Sequence, residues 1–154
     1  MSKTLQSLST FAAVGLALAG APLSSEARSI SARSGSPHIS SQGFCWAPDD
    51  SATGPTIINK QCDFEALWHI PLVVDGSGGF KPSVTVQGTG VNSVRCRAMS
   101  FTKQGFFKES TNFISPTAFG IPFDLNFSLQ VPPEGTLMID CFVAQNSMVH
   151  AVNW

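Results

Sequence analysis

The side chains able to do chemistry in this 154-residue chain are few and scattered. Cysteines stand at 45, 62, 96 and 141, and histidines at 38, 69 and 150. In an oxidising compartment an even set of cysteines pairs into disulfides. Zinc binding is the rival use, but no Cys-x-x-Cys pair occurs and the histidines do not fall at ligand spacings. No metal and no cofactor is therefore assigned. A histidine serves as general base where a carboxylate orients it and a nucleophile faces it. Nothing near in sequence supplies such partners to His38, in a serine-rich stretch, to His69, beside Trp68, or to His150. No catalytic residue is assigned.

The other polar constellations have plainer readings. Asp75-Gly76-Ser77-Gly78-Gly79 has the composition of a serine-protease nucleophile segment but not its order, and no Gly-x-Ser-x-Gly elbow exists. It reads as a glycine-rich loop. Asp49-Asp50-Ser51 is the densest acidic spot, yet it offers fewer oxygens than a calcium loop and reads as a solvated turn. Aromatic residues are the better candidates, because exposed rings suit sugar faces or partner proteins. Phe106-Phe107 follows Gly105 and precedes Lys108-Glu109, so the pair is expected on a hairpin tip. With Trp46 and Trp68 it makes up the candidate binding set.

Charge excludes some partners. The net charge is −1 and only 12% of residues are charged, with nine Lys and Arg spread along the chain. Phosphate binding needs a basic stripe, so no nucleic-acid partner is expected. Hydrophobic residues at 43% suffice for a packed core.

The N-terminus reads as an export address over residues 1–27. Lys3 precedes an apolar run from Phe11 to Leu23, shorter than the roughly 20 residues a membrane helix needs. Ser25-Glu26-Ala27 offers a small-x-small cleavage site, with Ala19-Gly20-Ala21 as a second. A secreted or periplasmic product follows, with no transmembrane helix after the signal is removed. Residues 28–43 hold six serines and no apolar periodicity, and are expected to be a flexible leader. The folded domain is expected over 44–154.

Within that domain, apolar residues alternate with polar ones. Phe123 to Val131 alternates without an error, as a strand with one buried and one wet face requires. Pro132-Pro133-Glu134-Gly135 makes a turn in which glycine would take a positive φ. Leu137, Ile139, Cys141 and Val143 then alternate against Met138, Asp140, Phe142 and Ala144, and Val94, Cys96 and Ala98 against Arg95 and Arg97. Further strands are expected at Trp68–Val74, where Pro71 marks an edge or bulge, at 84–87, around Phe113-Ile114, and at 148–153. About seven short strands give a single antiparallel β-sandwich, an all-β fold.

Alternation also bears on the cysteines, which spacing alone leaves with three possible pairings. Cys96 and Cys141 each share a face with aliphatic neighbours, so both point inward. A bond between them would staple two sheets of a sandwich, and Cys45–Cys62 would close a loop at the start of the domain.

From Cys45 onward the chain resembles a loose group of short, exported bacterial proteins with a disulfide-stapled β-sandwich and no assigned activity. The matching segments are Phe44-Cys45-Trp46-Ala47-Pro48, Ile70-Pro71-Leu72-Val73, Ser93-Val94-Arg95-Cys96 and Leu137-Met138-Ile139-Asp140-Cys141. Ile70 departs from the pattern, which has cysteine there, and Cys62 takes over as partner of Cys45. The resemblance implies export and the sandwich, and adds no activity.

The expected function is thus a secreted, non-catalytic binding module for a glycan or protein ligand. A small secreted hydrolase with residues drawn from several loops is one alternative. A structural, envelope-associated protein is the other.

Overall fold

The computed structural model describes residues 28–49 and 56–154. The expected signal peptide and the Asp50-Ser51 part of the acidic turn lie outside the described residues. The described residues form thirteen strands: β1 (Ser29–Ser31), β2 (Ser36–Pro37), β3 (Trp46–Pro48), β4 (Ile57–Asn59), β5 (Ala66–Leu72), β6 (Gly78–Phe80) and β7 (Ser83–Gln87). They continue with β8 (Val94–Phe101), β9 (Phe107–Ser110), β10 (Phe123–Asn126), β11 (Leu129–Val131), β12 (Thr136–Val143) and β13 (Met148–Asn153). One sheet has the order β2-β5-β12-β8-β9. The facing sheet has the order β10-β7-β13-β4-β3, with β1 also on β13, and β6 pairs with β11 in a small third sheet. All pairs are antiparallel, so the all-β sandwich expected from alternation is the fold.

The strand number exceeds the expected seven because several pieces are only two or three residues long. One long alternating segment also splits. Residues 123–126 pair with β7 in the large sheet, and 129–131 leave it to pair with β6. The glycine-rich stretch after Asp75, expected to be all loop, therefore contributes β6 through Gly78 and Gly79. In the turn before β12 the positive φ falls on Glu134, at 54°. Gly135 is needed for a different reason: a Cβ there would lie 2.5 Å from the Phe101 carbonyl oxygen.

Alternation does place the core. Trp68, Ile70 and Leu72 of β5, Cys96 and Ala98 of β8, and Leu137, Ile139 and Cys141 of β12 face Val84, Val86, Leu125, Val149 and Val152 of the other sheet. Pro71 sits where β2 no longer flanks β5, so its missing N–H breaks no ladder bond.

Both expected disulfides form, Cys45–Cys62 and Cys96–Cys141. The second does not staple two sheets. Cys96 and Cys141 are direct cross-strand partners on β8 and β12 of the same sheet, with Cα atoms 4.1 Å apart. The reason is local. Cys96 exchanges both backbone hydrogen bonds with Ile114 on its other side, so towards β12 it forms a non-hydrogen-bonded pair, where antiparallel strands approach most closely.

The serine-rich stretch is not a free leader. β1 pairs with the end of β13, and β2 pairs with Trp68 and His69 of β5. Between them Ala32 is fully buried and its carbonyl accepts the Trp68 indole N–H at 2.9 Å. Gly35 crosses so close to β5 that a Cβ would lie 2.3 Å from the His69 carbonyl oxygen and 2.4 Å from Trp68 Nε1. No sequence periodicity marks such docking, because only isolated residues touch the core.

Two outcomes follow. Gly35→Ala is expected to cost about 1–3 kcal/mol, read from urea midpoints, because the chain must lift off β5; an unchanged midpoint would contradict the docking. Replacing Cys96 and Cys141 together by alanine is expected to cost about 4 kcal/mol, against about 3 for the Cys45 and Cys62 pair, on loop-entropy grounds. Denaturant unfolding of the two double variants orders them.

Candidate functional site

The outer face of the β2-β5-β12-β8-β9 sheet collects most of the side chains that could touch a ligand. β12 lies between β5 and β8, and the register sets Asp140 opposite His69 on one side and Arg97 on the other. Arg97 donates from Nε and Nη2 to Asp140 Oδ2 at 3.2 and 3.1 Å. His69 Nδ1 contacts Asp140 Oδ1, and His69 Nε2 contacts Nδ1 of His38. Asp140 is only 1% exposed, so two partners hold a carboxylate that burial would otherwise destabilise. His38 lies two residues beyond Ser36, the register partner of His69, and its backbone N–H donates to the Leu67 carbonyl at 3.0 Å. It was expected to be unoriented in the leader, and is instead fixed against the sheet.

Towards one end of this face the Arg97 guanidinium lies over the Phe113 ring at 4.7 Å. Arg95 lies over Phe142 at 4.8 Å and pairs with Glu65 at 2.6 Å. Those rings are covered by cations. Towards the other end the hairpin from β8 to β9 carries the expected aromatic pair. Gly105, at φ 82°, closes a turn in which its N–H donates to the Thr102 carbonyl at 2.9 Å. Phe106 is 70% exposed and Phe107 60%.

The register between β8 and β9 shifts after Ser100, so Phe107 pairs with Phe101 while Glu109 pairs with Ser100. That bulge puts Phe107 on the same outer face as Phe101, Arg97 and Arg95, with its ring edge-on to Phe101 at 6.1 Å. Glu109 turns the other way and accepts the Gln130 N–H at 2.9 Å.

The remaining candidates belong to the interior. Trp68 is 6% exposed with its indole N–H committed to Ala32, so it is a core residue and not a surface platform. Trp46 is half-buried, 4.7 Å from Trp68 between ring centroids, and packs on the Cys45–Cys62 bond. His150 stands at a bulge of β13 with Nδ1 2.8 Å from Thr56 Oγ1. Burial lowers its pKa below the ordinary histidine value, and the nearby Asp49 charge opposes that shift. Among the described residues no helix is long and apolar enough to cross a membrane. The two disulfides fit an extracellular protein.

Comparison with known proteins adds to the fold. No protein-family model and no curated sequence matches the chain. Among solved structures it is similar to a CBM6 carbohydrate-binding module (CBM6cm-2) of Cellvibrio mixtus lichenase 5A, in complex with cellotriose. The TM-score is 0.52 at 10% identity, over 82% of this chain and 94% of that one. The C-terminal CBM6 of the laminarinase LamC from Zobellia galactanivorans gives 0.52 at 11% identity, over 82% and 97%. The GH26-CBM35 β-(1,4)-mannanase of Podospora anserina gives 0.52 at 8% identity, over 82% of this chain and 27% of that one. The architecture is therefore the β-sandwich of these modules.

The half-buried His150 generates a pH test. Its lowered pKa means that the unfolded chain takes up the proton first as pH falls below about 6.5, so stability is lost in acid. His150→Gln removes that proton and is expected to show a smaller drop in melting temperature between pH 7.5 and 5. Equal drops in the two proteins would contradict the assignment.

Proposed function

We propose that the protein is an exported, non-catalytic carbohydrate-binding module whose platform is the Phe106-Phe107 hairpin. The observation that carries this reading is two phenyl rings of neighbouring residues, mostly exposed, on the rim of the sheet. Leaving such rings in water is unfavourable unless they meet an apolar surface, and the C–H face of a pyranose is such a surface. Phe101 buttresses the Phe107 ring, so little side-chain entropy remains to be lost on binding. The sandwich shared with modules described as carbohydrate-binding supports the same reading at the level of architecture. Signal-directed export and a two-disulfide fold suit a protein that meets polysaccharide outside the cell.

Affinity electrophoresis against a panel of soluble polysaccharides tests it. The wild-type chain should be retarded by at least one, and Phe106→Ala/Phe107→Ala should lose about tenfold or more in affinity, on the order of 1–2 kcal/mol. Both rings are exposed, so the melting temperature should hardly change. Absence of retardation, or retardation equal in the double variant, would sink the proposal.

A small hydrolase has one observation in its favour, the carboxylate-paired His69. A broad hydrolase screen on the oxidised protein separates the two, since turnover lost in His69→Gln would favour catalysis.

A further inference from the structure

The His38–His69 contact has no part in the aromatic platform. Its chemistry can be followed atom by atom. Asp140, buried and bound by Arg97, offers an acceptor oxygen to His69 Nδ1, which favours the tautomer with the proton on that nitrogen. With its proton on Nδ1, a neutral His69 presents the lone pair of Nε2 outward. That lone pair meets Nδ1 of His38, the rings lying 4.6 Å apart between centroids and 70° from parallel. Two imidazole nitrogens thus converge on one point at the protein surface, and a proton is the smallest cation that can sit between them.

A carboxylate behind one imidazole, fixing its tautomer and raising its basicity, is the support that metal-ligating histidines usually carry. We propose that His38 Nδ1 and His69 Nε2 bind a divalent transition-metal ion of the zinc or copper class, with Asp140 as a positioning residue behind His69. Imidazole nitrogen suits these ions, whereas calcium and magnesium require oxygen ligands. Metal–nitrogen bonds of about 2.0–2.1 Å at a tetrahedral angle put the two nitrogens about 3.3 Å apart. The present separation is 2.5 Å, so the rings must part by under about 1 Å. His38 follows the end of β2 with an exposed side chain, so its ring can swing outward while its backbone stays bound to Leu67.

Charge permits the ion. Arg97 lies on the far side of Asp140, and its charge is offset by that carboxylate, so the two imidazole nitrogens face the ion without a net positive neighbour in the row. Among the described residues no third His, Cys, Asp or Glu converges on the same point. The other coordination positions would be filled by water and would stay open to exchange.

The experiment is calorimetric titration of the untagged, oxidised full chain with zinc chloride and with copper sulfate, in the absence of sugar. The wild type is expected to bind one equivalent of at least one ion. His38→Ala removes an exposed ligand without touching the core and should weaken binding at least tenfold. Asp140→Asn should weaken it about 10–100-fold through the loss of the supporting carboxylate. Proton NMR should show the imidazole signals of His38 and His69 shifting on metal addition while those of His150 stay. If the wild type takes up neither ion, or His38→Ala binds as tightly as the wild type, the proposal is overturned and the contact is a hydrogen bond alone. Polysaccharide binding at Phe106 and Phe107 is read separately, so either result leaves the other intact.

Discussion

Everything on the outer face of this sheet depends on the register of β12 between β5 and β8. Side chains alternate across a strand, so placing Cys141 inward beside Cys96 forces Asp140 outward, between His69 and Arg97. A slip of one residue would turn the cysteine to solvent. It would also drive the carboxylate into an aliphatic interior, where an unpartnered charge costs several kcal/mol. The disulfide on one face and the buried ion pair on the other therefore oppose the same error. Because the bond joins neighbouring strands of one sheet, it acts on register directly, and contact between the sheets is left to Ile70, Ile139, Val84, Val86 and Val152.

The edges of this sheet are managed by the same chain that carries the candidate ligands. β2 covers only the middle of β5, and it does so because Gly35 lets the backbone press onto Trp68 and His69. That close approach brings His38 to His69. On the opposite edge β9 would present unpaired groups to solvent, but a bulge twists it and Glu109 accepts the Gln130 N–H from β11. The bulge has a second effect, since it turns Phe107 onto the outer face. Both the exposed Phe107 and the His38–His69 contact are thus by-products of how edge strands are finished.

The face divides into regions of different chemistry. Phe113 and Phe142 are capped by Arg97 and Arg95, so their π faces already have cations on them. Phe106 and Phe107 have no such cover and offer apolar area to a ligand. The His38–His69–Asp140–Arg97 row lies between, about 13 Å from Phe101 as measured along β8 from Arg97 at strand rise.

Sequence by itself determined the fold class, because period-2 alternation at 94–98 and 137–143 follows directly from strand geometry. It favoured the observed disulfide pairing too, because alternation turns Cys96 and Cys141 inward, although the expected staple between sheets proved to be a bond between neighbours in one sheet. The exposed Phe106-Phe107 pair was legible for a similar reason, since glycine before and charges after mark a turn. The docking of residues 28–43, the burial of Trp68 and the partnership of His38, His69 and Asp140 were decided by tertiary structure alone. The His38–His69 and His69–Asp140 contacts join positions 31 and 71 residues apart, and no local pattern records which strands become neighbours. Alternation tells which way a side chain points; only the closing of the sheets decides what it meets.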